Sequence, residues 1–407
     1  GRVFENAYAG GPWCSPSRTA LLTGMNGKHF SSVEKDEKGC AARFNPTVAE
    51  MLKTAGYATC ALGKWHMYED GRDSWSSYGK TYEEQREKTN WKQMPWNRGF
   101  DVCRIGYRGQ FMGGNGNPYF PFKIETGDRQ EIQLPENRNL DSDYLWRYNA
   151  KPEIAATLFD AQGRFVDKAG KDSSGMRYSE DIYREEAIAF MKASASTHST
   201  SSGQAHSVSS RLREGASPRL AGQAPSTGSG QAGSAQGPST SSGQGMDRPF
   251  FLYYATPLMH GPLAVKELGR FKDKPGWSYS HKLWAAMVEE LDRSVGIIVN
   301  EVKTLGLEKN TIVIFTSDNG YAAWGYFKRP AWQDDPIFHN KGPWNRGKFI
   351  TTNGGHIVPF IAWGPGQVSP GKTGRAVNFY DFMTTAGELA GAKPPGPTDG
   401  VSYVPLL

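Results

Sequence analysis

The chain has 407 residues, of which 38% are hydrophobic and 12% aromatic, and its formal net charge is +6 at pH 7. This composition is typical of a soluble globular protein and excludes a fibrous one, and the length allows one large core or two ordinary ones. Lys and Arg are dispersed rather than gathered into a stripe, which argues against a nucleic-acid partner, and no apolar run approaches the length of a membrane span.

The chain opens at "GRVFENAYAG" without a Met, which we interpret as the end of a strand already inside a domain. We therefore expect the N-terminus to be truncated. The cysteines, Cys14, Cys40, Cys60 and Cys103, are too few for a disulfide scaffold. One pair could form, but the spacing does not say which pair, and the compartment stays open.

Strand-like and helix-like segments alternate along most of the chain. Helices are predicted over 46–56, 180–194 and 280–306, and strands over 57–66, 249–256, 310–320 and 357–366. In the longest helix, apolar residues recur at steps of three or four and mark one buried face: Leu283, Met287, Leu291, Val295, Ile298 and Val302. Short apolar strands flanked by helices predict an α/β fold with a mainly parallel central sheet sandwiched by helices.

Residues 195–246 differ from the rest because they consist mainly of Ser, Gly, Gln, Ala and Pro, with almost nothing to bury. Such a segment does not offset its ordering entropy, so we predict that it is disordered. It separates a predicted helix from a predicted strand, which makes it a low-complexity insertion within one domain, native or not.

The stretch "GGPWCSPSRTALLTG" places Cys14 where a proline-bracketed turn runs into a predicted helix that Gly24 would close. Leu21 and Leu22 would face the core. A helix N-terminus offers free N–H groups and positive partial charge, and Arg18 on the same face adds a full charge; both favour an anion or a thiolate. From these residues alone, a buried structural cysteine is as good an interpretation as a nucleophile.

Two segments, in this order, resemble the signatures of the sulfatase family. "CSPSRTALLTG" matches Cys-x-Pro-x-Arg followed by Leu-Thr-Gly, and "GYATCALGKWH" (56–66) is similar to the second signature, Gly-Tyr-x-Thr followed by Gly-Lys-Trp-His. In that family the cysteine is oxidised to formylglycine, so the resemblance implies that Cys14 is the precursor of the nucleophile. It also implies active-site roles for Arg18, Lys64 and His66. Without it, Lys64 and His66 would be interpreted as solvated surface side chains.

Three later segments extend the resemblance. "TPLMHGPL" resembles the family's His-x-Pro segment and implies an active-site role for His260, and "RGKFITTNGGHIVPFIAWGPG" implies sulfate binding by Lys348. Asp318 and Asn319 follow a predicted strand, at the end where ligands of open α/β sheets gather, and their oxygens suit a hard cation. Alone, "SDNG" would be an ordinary turn. The resemblance implies instead that Asp318, Asn319 and Cys14 as formylglycine bind a divalent metal, Ca²⁺ first and Mg²⁺ as the second choice.

The resemblance spans nearly the whole chain outside the insertion. It implies that residues 1–407 form a sulfatase catalytic domain of the alkaline-phosphatase-like fold, incomplete at both ends. The paired aspartates of the family's first strand would lie upstream of Gly1, and a smaller C-terminal subdomain would follow the last residue. Asn353 and His356 replace the family's Glu and Arg in the Gly-Gly block. We therefore expect an incomplete metal shell and leave the activity of this fragment open.

The implied reaction is hydrolysis of a sulfate monoester of a small molecule or carbohydrate. The implied catalytic set is Cys14, Arg18, Lys64, His66, His260 and Lys348. The cations would stabilise the transferred group, His260 would protonate or bind the leaving oxygen, and His66 would help to release sulfate. A formylglycine-generating or equivalent maturation enzyme and an exported location (periplasmic, extracellular or lysosomal) are also implied. Two alternatives stay open: a phosphomonoester or phosphonate hydrolase of the same superfamily, and a catalytically inactive relative that binds sulfated glycans.

Overall fold

The structure is a computed structural model. It describes residues 1–26, 45–65, 67, 95, 98–106, 111–113, 123–125, 176–195, 248–260, 265–322, 334–339 and 341–407. His66, Cys40 and nearly all of the predicted insertion at 195–246 lie outside these residues. The insertion and the division into domains therefore stay predictions.

Helices and strands alternate along the described chain. The helices are α1 (Cys14–Thr23), α2 (Val48–Thr54), α3 (Ser179–Ala195), α4 (Tyr279–Thr304), α5 (Asn353–His356) and α6 (Asp381–Ala390). The strands are β1 (Arg2–Tyr8), β2 (Ala58–Lys64), β3 (Val102–Gly106), β4 (Phe111–Gly113), β5 (Lys123–Glu125), β6 (Met176–Tyr178), β7 (Phe250–Ala255), β8 (Val313–Thr316), β9 (Phe360–Trp363) and β10 (Gly371–Asn378). Every helix and strand predicted from the sequence is present, in most cases with ends one to four residues shorter than predicted.

The described strands form two four-stranded sheets and one pair. In the order β5-β3-β2-β7, β2 runs parallel to both β3 and β7, and β5 is antiparallel to β3. In the order β10-β1-β9-β8, β1 and β10 are parallel, but β9 is antiparallel to β1 and β8. Strands β4 and β6 pair with each other. The α/β class is confirmed, with one largely parallel sheet and one mixed sheet.

The direction of β9 follows from its connection to β10. Only the short loop 364–370 joins these two strands, and a parallel crossover needs a dozen residues or more. Because β10 is parallel to β1, β9 must run the other way when it lies on the opposite side of β1.

Local signals in the sequence explain where the helices begin and end. Thr47 and Glu50 form a reciprocal capping box at the start of α2, and α1 ends at Gly24, which takes the left-handed conformation with φ of 69°. On α4, Leu283, Met287 and Val302 are buried, and the other members of the predicted face are half-buried. The predicted periodicity of this helix is thereby confirmed.

Helix α1 lies between two clusters of the hydrophobic core. Leu22 packs in one cluster with Met51 of α2 and with Trp65, and Ala20 packs in the other with Phe4 of β1. Burial of a leucine side chain contributes about 1.5–3 kcal/mol. The helix that carries Cys14 is therefore fixed from both sides before any polar contact is counted.

Three of the four cysteines lie among the described residues: Cys14, Cys60 and Cys103 are buried and are not disulfide-bonded. Within the part of the chain that the structure describes, no helix combines the length and apolar character needed to cross a membrane.

Candidate active site

Helix α1 presents Cys14 at its first turn. Trp13 precedes the helix in an extended conformation, with φ of −153°, and its side chain supplies no capping hydrogen bond. The N–H groups of the first turn and the positive end of the helix dipole therefore point toward whatever lies beside Cys14.

The thiol of Cys14 lies among polar groups from distant parts of the chain. Lys64 Nζ at the end of β2 is 3.0 Å from Cys14 Sγ, and Lys348 Nζ is 3.2 Å from it. The thiol donates to Asn319 Oδ1 over 3.5 Å, and His260 is hydrogen-bonded to the same cysteine. Four residues that the sequence predicted for the site thus meet at one sulfur atom.

Arg18 directs its guanidinium at Asp318. Its Nε and Nη2 donate to Asp318 Oδ2 over 3.0 and 2.7 Å. Its Nη1 donates to the Lys64 carbonyl over 2.6 Å and to the Tyr253 hydroxyl over 3.1 Å. Burial would lower the pKa of Arg18, but the neighbouring Tyr253 and Asp318 groups raise it above its ordinary value. Arg18 is therefore a fixed cation that holds Asp318 and the end of β2 in place.

The positive charges around Cys14 also affect one another. Burial, together with the charges of Arg18 and Lys348, lowers the pKa of Lys64 to about 8 against the opposing effect of Cys14 and Asp318. Burial and the Lys64 charge likewise hold the pKa of His260 well below its ordinary value. Burial is the main cause of both shifts, and the charges of neighbouring cations add to it, because among the described residues three cations and one carboxylate, Asp318, lie near Cys14.

Backbone contacts fix the segment that carries Lys348. The N–H of Lys348 donates to the Tyr321 carbonyl over 2.7 Å, and the N–H of Phe349 donates to the Pro12 carbonyl over 2.8 Å. Next to them, a Cβ on Gly320 would lie 2.0 Å from the Gly354 carbonyl oxygen, so only glycine permits this approach. The Cys14 turn, the Asp-Asn-Gly turn and the Lys348 segment are therefore held together through backbone contacts.

Close packing also sets the position of Lys64. Gly63 has φ of +88°, and a Cβ there would lie 2.1 Å from the Ala255 carbonyl oxygen on β7. The "GK" pair in the second signature thus combines a strand contact that only glycine allows with the lysine that reaches Cys14.

The two departures in the Gly-Gly block lie on α5. His356 Nδ1 lies 3.2 Å from the Ala9 carbonyl oxygen, and the Ala9 N–H donates to the His356 carbonyl over 2.8 Å. His356 is thus bound to the segment after β1, while Asn353 is exposed.

Asp318 and Asn319 are suitable in kind for a hard cation, because they present a carboxylate and an amide oxygen beside Cys14. They are too few to complete a site, since Ca²⁺ takes six to eight oxygens. Within the described ranges no group of at least three His, Cys, Asp or Glu side chains could hold a metal. The described residues therefore fit part of a metal shell.

The sequence did not indicate Tyr253 as a site residue. Its hydroxyl accepts from Arg18, and burial raises its pKa, so it remains a neutral phenol. The residue lies in an apolar strand, where a tyrosine that packs in the core gives the same pattern. His66, which the sequence did indicate, lies outside the described residues.

The sequence is similar to those of known proteins. The profile of the Sulfatase family matches residues 1–199 and 240–392. The N-acetylgalactosamine-6-sulfatase of Rattus norvegicus is 25% identical over 421 residues, and arylsulfatase A of Homo sapiens is 33% identical over 413 residues. Both matches cover all of this chain, which spans 59% and 61% of the length of these relatives.

Solved structures support the fold. The structure of Ps i-CgsB in complex with k-i-k-neocarrahexaose has a TM-score of 0.58 and 23% identity, covering all of this chain and 68% of that one. The phosphonate monoester hydrolase SpPMH of Silicibacter pomeroyi has a TM-score of 0.52 and 16% identity, covering all of this chain and 69% of that one. Since the family profile matches well over half of the sequence, the chain belongs to the sulfatase family.

Proposed function

We propose that this chain carries the catalytic centre of a hydrolase that cleaves sulfate monoesters. The observation that supports it most directly is the excess of positive charge around Cys14, where Lys64, Lys348 and the N-terminus of α1 converge. A sulfate ester is an anion whose transferred group gains negative charge during cleavage, and preorganised cations stabilise that charge.

Cys14 is proposed as the precursor of formylglycine, made by a maturation enzyme. The hydrated aldehyde supplies one hydroxyl that attacks sulfur and a second hydroxyl that a thiol lacks. When the second hydroxyl loses its proton, the aldehyde carbonyl re-forms and the bond from carbon to the sulfated oxygen breaks, which releases sulfate. The side chain lies at the first turn of α1, where the ammonium groups of Lys64 and Lys348 are 3.0 and 3.2 Å from its sulfur.

The residues around Cys14 bind the sulfate group, contact the leaving oxygen and position Asp318. Lys64 and Lys348 bind the sulfate oxygens, and each well-placed donor of this kind contributes roughly 3–4 kcal/mol to stabilising the transition state. His260 contacts the leaving oxygen. With its pKa lowered, its imidazole is neutral near pH 7 and offers one N–H donor and one acceptor. Arg18 acts through Asp318, which it holds in place.

Asp318 and Asn319 would hold a divalent metal, Ca²⁺ or Mg²⁺, together with ligands beyond the described residues. When bound, such an ion polarises the sulfate group and lowers the pKa of a coordinated hydroxyl. Two hydrogen bonds from Arg18 to Asp318 Oδ2 hold this carboxylate in place.

The substrate class proposed is a sulfated small molecule or carbohydrate, and the proposed location is exported. The names of the relatives, an N-acetylgalactosamine-6-sulfatase and an arylsulfatase, support both kinds of substrate. The similarity to a phosphonate monoester hydrolase supports one second candidate, hydrolysis of phosphate or phosphonate monoesters.

Mass spectrometry of the peptide spanning residues 5–18, from protein expressed with a maturation enzyme, tests the modification. We expect the mass of an aldehyde at position 14. The reaction is tested by turnover of 4-nitrophenyl sulfate against 4-nitrophenyl phosphate and a phenylphosphonate ester. Faster turnover of the sulfate is expected. A preference for either phosphorus ester would support the second candidate, and an unmodified cysteine with no turnover would overturn both.

A further inference from the structure

Two exposed aromatic rings lie against each other beside the active site. Among the described residues, the exposed large hydrophobic side chains are Trp13, Val288, Phe349, Ile361, Leu389 and Val401. Trp13 and Phe349 are far apart in sequence, but their ring centroids lie 6.4 Å apart with planes tilted by 33°. A single exposed apolar side chain needs no explanation, whereas two adjacent rings form a patch that can bind a ligand. We call this pair the aromatic platform.

The aromatic platform borders the cation pocket directly. Trp13 precedes Cys14 in the chain, and Phe349 follows Lys348. Lys348 Nζ lies 3.2 Å from Cys14 Sγ and 5.5 Å from the centroid of the Phe349 ring. One ammonium group therefore contacts both the nucleophile position and the platform.

The backbone holds Phe349 in an unfavourable conformation. Its φ is +71°, in the left-handed region that a bulky side chain rarely adopts, and such a conformation costs about 1–3 kcal/mol. The hydrogen bond from the Phe349 N–H to the Pro12 carbonyl ties it to the residue before Trp13. Strain of this kind persists where the surrounding structure imposes it and is concentrated at functional sites. The platform is therefore a fixed feature of the fold.

We propose that the aromatic platform binds the C–H face of a pyranose whose sulfate group lies in the cation pocket. This inference rests on the proposed function and names the substrate class. Aromatic faces carry partial negative charge and attract the polarised C–H groups of a sugar. Trp13 and Phe349 are 41% and 45% exposed, so a ligand on them stays partly in water. A sugar ring suits that position because its hydroxyls remain hydrated, whereas a purely aryl group gains most in a closed apolar pocket.

Calorimetric titration of the full chain carrying Cys14→Ser tests the proposal, because that background prevents turnover and keeps Lys64 and Lys348. The probes are inorganic sulfate, ethyl sulfate, phenyl sulfate, and methyl galactopyranosides sulfated at O3, O4 or O6. Trp13→Ala and Phe349→Ala are compared with Leu389→Ala, which removes a side chain of similar exposure (41%) on α6. Phe349→Leu keeps bulk without an aromatic face and serves if Phe349→Ala does not fold.

The parent is expected to bind at least one sulfated pyranoside more tightly than ethyl sulfate. Each platform variant should weaken that binding about three- to ten-fold, with unchanged affinity for inorganic sulfate and no effect of Leu389→Ala. Equal pyranoside binding by the parent and both platform variants overturns the platform. If the platform variants lose affinity for phenyl sulfate but not for any sulfated pyranoside, the assignment of the platform to a sugar is wrong. Failure of the parent to bind inorganic sulfate overturns the proposed anion pocket itself, and so separates the two failures.

Discussion

Two ionic clusters in this molecule differ in their balance of positive and negative charge. The nucleophile cluster contains Arg18, Lys64 and Lys348 with Asp318, around Cys14. The helix-pair network joins α3 to α4 and to the segment before α4, and its members are Asp181, Arg184, Lys266 and Glu290. The first has two positive charges in excess among the described residues, whereas the four named members of the second balance one another, and Arg293, which also pairs with Glu290, is largely exposed.

The difference separates a binding site from a structural anchor. In the helix-pair network, Arg184 Nη1 lies 2.5 Å from Glu290 Oε1, its Nη2 contacts Asp181, and Lys266 Nζ lies 2.8 Å from Asp181 Oδ2. Each charge has an opposite charge beside it. In the nucleophile cluster, Lys64 and Lys348 both contact the Cys14 thiol, so an anionic ligand bound beside this thiol would lie next to two ammonium groups.

The largest expected effect follows from Cys14→Ser. Because an unoxidised serine has one hydroxyl and no second one whose collapse to an aldehyde could expel sulfate, multiple turnover of 4-nitrophenyl sulfate should fall about a thousand-fold or more. The cations remain, so inorganic sulfate should still bind with wild-type affinity. Cys103→Ala, which alters another buried free thiol outside the cluster, should keep its turnover. Sustained turnover by the serine variant would remove Cys14 from the role of nucleophile precursor.

The next effect concerns the balanced cluster. Arg184→Met leaves Asp181 and Glu290 without their main partner, and breaking a buried ion pair in this way costs about 3–5 kcal/mol of unfolding free energy. Urea unfolding measures it, and sulfate affinity should not change. The matched control is Arg293→Met, since Arg293 pairs with the same Glu290 but its side chain is 49% exposed. It should cost no more than about 1 kcal/mol. Equal costs for the two variants would show that the network is no anchor.

The residues of the nucleophile cluster were easier to predict from the sequence than those of the helix-pair network. Short motifs carry Cys14, Lys64 and Lys348. Cys14 must lie at the start of a helix, and Lys64 follows Gly63, a position where the close contact with the neighbouring strand permits only glycine. Their catalytic roles stay predictions. The helix-pair network gave no such signal, since charged residues on α3 and α4 have the same spacing whether they face water or each other.

Strand β10 and the direction of β9 also could not be predicted from the sequence, for physical reasons. Strand β10 is polar and mostly exposed because, among the described strands, it pairs with β1 at the edge of its sheet, so it has no apolar alternation. The antiparallel direction of β9 depends on which side of β1 it occupies, and no local pattern encodes that choice.

Removing one cation from the nucleophile cluster should affect sulfate affinity rather than the free energy of unfolding, which is the reverse of the effect expected for Arg184→Met. Lys64→Met deletes a buried ammonium that lies near Arg18 and Lys348, so unfolding free energy should stay equal or rise. Sulfate affinity should fall about ten- to a hundred-fold, because a charge-assisted hydrogen bond is lost. Calorimetric titration and urea unfolding of the same protein measure both. Loss of stability without loss of sulfate affinity would make Lys64 a structural residue and contradict the comparison.

The smallest effect tests how the balanced region responds to pH. Glu180 on α3 accepts from Tyr254 and Thr256 hydroxyls, and burial raises its pKa despite these hydrogen bonds. The folded state therefore binds its proton more tightly than the unfolded state, so the stability contributed by the protonated form is present below the unfolded pKa. That stability is lost as the pH rises through the folded pKa.

Glu180→Gln removes this titration while keeping an acceptor oxygen. The stability of the wild type relative to the variant should thus decline as the pH rises above about 4.5, the ordinary value for Glu. Urea unfolding of both proteins from pH 4 to 8 measures this difference. A relative stability of the wild type that rises with pH would mean that Glu180 is held as a paired carboxylate, and the network would then contain an anion that its own cations stabilise.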